Sequence, residues 1–304
     1  MEFRNLDQEK AFMKKEAKRL GVSHMAAYTT YYARKLLEKL ALINDGSLVV
    51  KGSFSQYVHL KELTRPVLDI DLSSTESHQI PLEILFAAIY DSFSDELTFD
   101  LSTTPRQTKN GVYKIPAIAK VNYEGSKEMV IPVPIDFKEN NKVIFETQFK
   151  AVEPLFEGDQ KFYINTPSFE EHIAEKLYII AHNTREDIPN TRVKDFYDIY
   201  KLFGQDYDAD KFSLYFEAMI LMYGMNLDDV SAKFLNKEFV KRHEELWASI
   251  KEKYQFVDKD VDLSEAVFFT KAVLSDQIQK IKTGEFREQA YSLVRKNPRG
   301  TKCK

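Results

Sequence analysis

Two aspartates separated by one isoleucine, in Leu68-Asp69-Ile70-Asp71-Leu72, are the residues of this chain whose spacing points most directly to chemistry. Alternate residues of a strand share a face. Leu68, Ile70 and Leu72 are therefore expected in the core, with both carboxylates on the opposite face. At strand rise their Cα atoms lie about 6.6 Å apart. Two unit charges at that distance repel by about 2.5 kcal/mol at an effective dielectric near 20. Aspartate is also a poor strand former. A cation offsets both costs, and hard oxygen ligands favour Mg2+ or Mn2+. The plainer alternative is a solvent-facing strand whose acids meet water or nearby lysines.

The segment upstream narrows the choice. Ser47-Leu48-Val49-Val50-Lys51 reads as a short buried strand that ends at Gly52-Ser53. A helical turn or two is then expected from Phe54 to Leu63. Glycine lets a backbone approach a phosphate closely, and a serine hydroxyl and helix N-terminal N–H groups donate to its oxygens. Strand, Gly-Ser, short helix and Asp-x-Asp strand follow one another as in the DNA-polymerase-β-type nucleotidyltransferase superfamily, which the chain resembles here. A third carboxylate is expected from Asp136, in Ile135-Asp136-Phe137. Pro132 and Pro134 before it mark an edge or irregular strand. The alternative is an edge-strand acid facing water.

Two helical segments add charged groups. In the helix from Phe169, residues Phe169, Ile173, Leu177 and Ile180 form the apolar stripe. Lys176 sits at its border, where the stem packs and the ammonium reaches outward. In Lys194-Asp195-Phe196-Tyr197-Asp198-Ile199 the two acids are three apart and share a face. Phe196, Ile199, Tyr200 and Phe203 are expected to pack inward. Read alone, these are a surface lysine, a capping acid and a salt-bridged acid.

Taken in order, Lys51-Gly52-Ser53, Arg65 four residues before Asp69-Ile70-Asp71, Ile135-Asp136-Phe137, Ala174-Glu175-Lys176-Leu177 and Lys194-Asp195-Phe196-Tyr197-Asp198-Ile199 resemble the AbiEii/AbiGii toxin family of nucleotidyltransferases. The likeness runs over about residues 10–280, with the single tryptophan Trp247 before a last helix. Ser53 stands where many relatives have a second glycine. Pro66-Val67-Leu68 replaces the usual serine before Asp-x-Asp. The resemblance implies a toxin of a toxin–antitoxin or abortive-infection system that moves a nucleoside monophosphate from a nucleoside triphosphate to a hydroxyl, most typically at a tRNA 3′ end. It implies Mg2+ or Mn2+ on Asp69, Asp71 and Asp136. Gly52, Ser53, Arg65, Lys176 and Asp198 would surround the triphosphate. Lys176 would be a catalytic lysine or triphosphate ligand, and Asp195, rather than Asp198, the essential acid orienting it. A cognate antitoxin is the implied partner, with or without a stable complex. A protein-modifying nucleotidyltransferase, a metal-dependent nuclease using the same carboxylates, and a catalytically idle binding module remain the alternatives.

Elements to position these groups are legible in outline. Residues 7–20 read as a helix stopped by Gly21. Ser23 caps a second helix to about Leu42, with Tyr28, Tyr32, Leu36 and Leu40 as its stripe. Asn44-Asp45-Gly46 is a turn, and the acidic strand spans Val67–Leu72. Pro81 is placed to open a helix to about Phe93. Lys109-Asn110-Gly111 is a turn. Val112–Tyr123 and Glu128–Lys138 read as an antiparallel hairpin around Glu124-Gly125-Ser126. Ser168 with Glu171 forms a capping box that opens a helix to about Asn183. A loop with Pro189 leads to a helix over Val193–Phe203. Three or four more helices fill 209–284, and 285–304 looks like a frayed basic tail. The expected class is α+β: a polymerase-β-like mixed sheet with flanking helices over 1–164, and an all-helical domain over 165–304.

Composition bounds the rest. The 304 residues are 43% hydrophobic and 30% charged, with 10 Gly and 10 Pro, which excludes a disordered or collagen-like chain. A net charge of −4 excludes a uniformly basic nucleic-acid coat. RNA contact would fall to local bases, Lys14, Lys15, Lys18 and Arg19 or Arg295, Lys296, Arg299, Lys302 and Lys304. The plainer reading of both runs is a solvated face and a disordered tail. One cysteine, Cys303, permits no disulfide within the chain and no thiolate cluster. No apolar run approaches the roughly 20 residues that span a bilayer, and the first ten residues lack the apolar run of a secretory leader. A cytoplasmic location without membrane contact is expected.

Overall fold

The computed structural model describes residues 3–74, 80–91, 96–139, 145–183 and 191–296. These form two compact units. The first takes in everything to residue 139 together with Thr147–Thr166, and the second takes in Phe145, Glu146 and everything from Pro167. The class is α+β, a mixed sheet with flanking helices followed by a helical C-terminal region.

The first unit opens with α1 (Leu6–Leu20) and α2 (His24–Ile43). Asn5 caps α1, and Gly21 ends it in the left-handed region, φ 69°. The Ser23 side chain accepts from the Ala26 N–H at the start of α2. Burial of α2 goes beyond the expected stripe. Tyr28, Tyr32, Leu36 and Leu40 are buried, and so are Tyr31, Ala33, Arg34 and Leu37. A helix buried nearly all round must neutralise its polar groups. The fully buried Arg34 does so through Asp159, 2.5 Å away, and the carbonyls of Glu153 and Gln160.

Next come β1 (Leu48–Lys51), α3 (Gly52–Leu60), β2 (Ile70–Ser74) and α4 (Ile80–Tyr90). They are followed by β3 (Leu97–Leu101), β4 (Arg106–Gln107), β5 (Val112–Ile115), β6 (Ala117–Val121), β7 (Met129–Pro132), β8 (Ile135–Lys138), β9 (Thr147–Val152) and β10 (Phe162–Pro167). A five-stranded sheet runs β1-β2-β8-β5-β4, a three-stranded sheet runs β3-β6-β7, and β9 pairs with β10. In the larger sheet β2 and β8 are parallel and the other pairs antiparallel. Val50, Leu72, Phe137 and Ile115 bury one face in a core shared with Phe54 of α3 and Leu36 and Leu37 of α2.

Several expectations need correction. The acidic strand starts at Ile70, so Asp69 lies in the bend before it, and Val67 rather than Leu68 is fully buried. The hairpin expected over Val112–Tyr123 and Glu128–Lys138 is broken on both arms. Its tip, β6–β7, belongs to the three-stranded sheet, and its base, β5–β8, to the five-stranded one. Pro116 and Pro134 stand at the breaks, where the absent N–H ends a ladder. Strands β3, β4, β9 and β10 were not read from the sequence. The expected helix end at Phe93 and the loop with Pro189 lie outside the described residues.

The second unit contains α5 (Phe169–Asn183), α6 (Lys194–Leu202), α7 (Ala209–Met222), α8 (Lys237–Tyr254), α9 (Leu263–Thr283) and α10 (Arg287–Lys296). The α5 stripe is buried as expected. Only half of its capping box forms. Ser168 Oγ accepts from the Glu171 N–H, 3.3 Å, while the Glu171 carboxylate accepts from the N–H groups of Phe145 and Glu146. On α6, Tyr197 replaces Tyr200 as the inward aromatic. Tyr197 stacks on Phe256 at 3.9 Å, and the Tyr200 hydroxyl donates outward to Glu265. Trp247 lies within α8, with two helices after it. The tail is not frayed throughout. α10 packs its buried Ala290 inward, and Arg287 pairs with the buried Glu217 of α7. Arg299, Lys302, Cys303 and Lys304 lie outside the described residues. Among the described residues no helix is long and apolar enough to cross a membrane.

Candidate active site

The acidic centre is built by the register of the larger sheet. Asp71 on β2 is the partner of Asp136 on parallel β8. On its other side Asp71 is the partner of Lys51 on β1. Asp136 is in turn the partner of Lys114 on β5, and Lys114 of Arg106 on β4. Residues paired across a sheet share a face. One row across five strands therefore reads Lys51, Asp71, Asp136, Lys114, Arg106. The opposite face carries Ile70, Ile135 and Ile115 into the core. Apolar residues alternating with these acids thus fix where the carboxylates point.

Asp69 joins them from the bend before β2. One carboxylate oxygen from each of Asp69, Asp71 and Asp136 lies within 4.8 Å of the other two, and all three residues are half-buried. Hydrogen bonds hold the incoming chain. Thr30 Oγ1 accepts from the Val67 N–H at 3.1 Å, and the Ile70 N–H donates to the Pro134 carbonyl at 2.9 Å. An all-oxygen donor set of this size suits a hard divalent cation. The Lys114 ammonium pairs with Asp136.

Gly52 and Ser53 sit beside this centre. Gly52 opens α3 with φ 62°, in the left-handed region. A Cβ on Gly52 would fall 1.8 Å from Asp71 Oδ2. No other residue type allows the Asp71 carboxylate its position. Lys51, the N-cap of α3, makes no side-chain capping bond. The Ser53 hydroxyl is buried and has no hydrogen-bond partner among the described residues. Buried polar atoms are normally satisfied, so an unsatisfied hydroxyl on the first turn of a helix fits an anion-binding position. Arg65 is 5% exposed and already engaged. The Thr64 hydroxyl beside it accepts from Gln56 Nε2 at 3.0 Å.

In the second unit, Lys176, Asp195 and Asp198 come together. Lys176 Nζ lies 2.7 Å from Asp198 Oδ2 and 3.7 Å from Asp195 Oδ1. All three are buried, Asp198 completely. The i, i+3 spacing on α6 turns both acids toward α5. The hydrogen bond goes to Asp198, while Asp195 Oδ2 has no hydrogen-bond partner among the described residues and Arg192 Nη1 at 3.7 Å. Sequence reasoning missed Lys114 and Arg106. Only the pairing of β4, β5 and β8 brings them into the row.

The basic runs are partly spent. Lys15 pairs with Glu157 at 2.6 Å, and Arg19 with Glu16 at 2.5 Å.

A family model described as "Nucleotidyl transferase AbiEii toxin, Type IV TA system" matches residues 35–271. No curated protein matches. Among solved structures, JHP933 from Helicobacter pylori is 18% identical with a TM-score of 0.42, over 89% of this chain and 97% of its own. An antigenic nucleotidyltransferase-like protein from Paracoccidioides brasiliensis is 10% identical with a TM-score of 0.37, over 75% of this chain and 92% of its own.

Proposed function

The chain belongs to the AbiEii family of nucleotidyltransferase toxins of type IV toxin–antitoxin systems, and on that premise we propose that it transfers a nucleoside monophosphate from a nucleoside triphosphate to an RNA hydroxyl, at a tRNA 3′ end. The observation that carries this reading is the meeting of Asp69, Asp71 and Asp136 beside Gly52 and the unsatisfied Ser53 hydroxyl. The three aspartates are the ligands proposed for Mg2+ or Mn2+. When bound, such an ion neutralises phosphate charge and orients the attacking hydroxyl toward the α-phosphorus, with pyrophosphate as leaving group. The Ser53 hydroxyl and the first N–H groups of α3 would donate to polyphosphate oxygens. Lys176, held by Asp198 and Asp195, is the second unit's candidate triphosphate ligand, and Arg65 a further cation for it. Most of the rate would come from positioning and preorganised charge. An antitoxin partner and a cytoplasmic setting accompany this reading.

The test is incubation with each α-labelled triphosphate, Mg2+, total RNA and total protein. Label is expected in RNA of tRNA size, and not with Asp69→Ala. Label in protein would make the chain a protein-modifying nucleotidyltransferase, and RNA cleavage without triphosphate a nuclease.

A further inference from the structure

We infer that Lys114 sets the divalent-ion affinity of the three-aspartate centre by competing with the ion for Asp136. The inference rests on the metal-site reading above and adds a residue to it. Lys114 stands directly across the β5–β8 ladder from Asp136 and is ion-paired with it. On the far side its register partner is Arg106, a second cation. Repulsion from that side and attraction from Asp136 both turn the ammonium toward the carboxylates. The Lys114 side chain is 45% exposed, so packing does not force it there. Lys51, at the other end of the row, is 7% exposed and fixed at the start of α3. Lys114 is therefore the movable cation of the pair.

Three carboxylates this close repel one another when no divalent ion offsets them. The Lys114 ammonium relieves part of that repulsion through Asp136. An incoming divalent ion has to share Asp136 with it, so the lysine lowers the cost of assembling the acids and weakens binding of the free ion. An ion that arrives already on a triphosphate brings further ligands and is affected less. The lysine thus favours loading of the ion together with its nucleotide.

The experiment is Mn2+ titration of the full chain without nucleotide, read by electron paramagnetic resonance of free Mn2+, for wild type, Lys114→Gln and Lys114→Arg. Half-exposed ion pairs have modest strength, so Lys114→Gln is expected to bind Mn2+ about two- to fivefold more tightly. Lys114→Arg, which keeps the charge, should match wild type. The rise in thermal midpoint on adding Mn2+ should also be larger for Lys114→Gln than for wild type. Unchanged or weaker binding by Lys114→Gln, or equal thermal gains, overturns the inference while leaving the metal site standing. Absence of Mn2+ binding in wild type and Lys114→Gln alike overturns the metal-site reading and the inference together.

Discussion

The carboxylate of Asp71 occupies the space that a side chain at residue 52 would need: a Cβ on Gly52 would come within 1.8 Å of Asp71 Oδ2. Glycine is required there twice over, because φ 62° is also a left-handed conformation. Strain in that region costs a residue with a Cβ about 1–2 kcal/mol. Gly52→Ala is expected to lower unfolding free energy by at least about that amount and to displace Asp71, abolishing transfer. Urea unfolding and the labelled-triphosphate assay check the two halves.

Removing one aspartate of the centre should separate activity from stability. Asp69→Ala is expected to abolish nucleotidyl transfer. Its thermal midpoint without divalent ions should equal or exceed wild type, since one of three mutually repelling carboxylates is gone. Retained transfer, or a collapse of the fold, would contradict the assignment of Asp69.

The two acids facing Lys176 should behave differently. Asp198 carries the 2.7 Å bond and is fully buried. Breaking a buried pair from one side costs about 3–5 kcal/mol, so Asp198→Ala is expected to destabilise strongly in urea. Asp195, at 3.7 Å, should cost less. On the proposal that Asp195 is the essential acid, transfer should be lost in the folded Asp195→Asn variant. Full transfer by Asp195→Asn would move the essential role to Asp198.

A pH dependence follows from Glu9, which is fully buried and accepts hydrogen bonds from Tyr32 and Tyr123. Burial raises its pKa from 4.5, and the two tyrosines only partly oppose the rise. The folded state then holds the proton to higher pH than the unfolded state. Stability contributed by the protonated form is present below 4.5 and is lost as pH rises through the folded value. Glu9→Gln removes this titration. The stability of Glu9→Gln minus that of wild type should grow as pH rises above 4.5 and then level off. Chemical unfolding at several pH values measures it, and a difference independent of pH would contradict it.

How far the sequence carried the structure depended on local signals. Ile70-Asp71-Leu72 announced the two faces of β2, while Asp69 fell in the bend before it, and Gly21 and Ser23 marked helix ends by their own chemistry. The α5 stripe and the i, i+3 acids of α6 likewise follow from helix geometry. Strand β9 gave no such signal. Phe149 on it is 71% exposed, so hydrophobic alternation does not mark a buried face. The broken hairpin was hidden because both arms are continuous in β propensity, and only Pro116 and Pro134 hint at the change of sheet. Lys114 was invisible for a different reason. Its importance comes from a partner 22 residues away, fixed by register between strands rather than by spacing along the chain.

The three-aspartate centre is tested most directly by anomalous scattering from crystals grown with Mn2+ and a non-hydrolysable triphosphate. A manganese peak bound by Asp69, Asp71 and Asp136, with phosphate oxygens accepting from Ser53 Oγ, is the expected result. A manganese peak elsewhere, with these carboxylates bound to water or lysine alone, would contradict it.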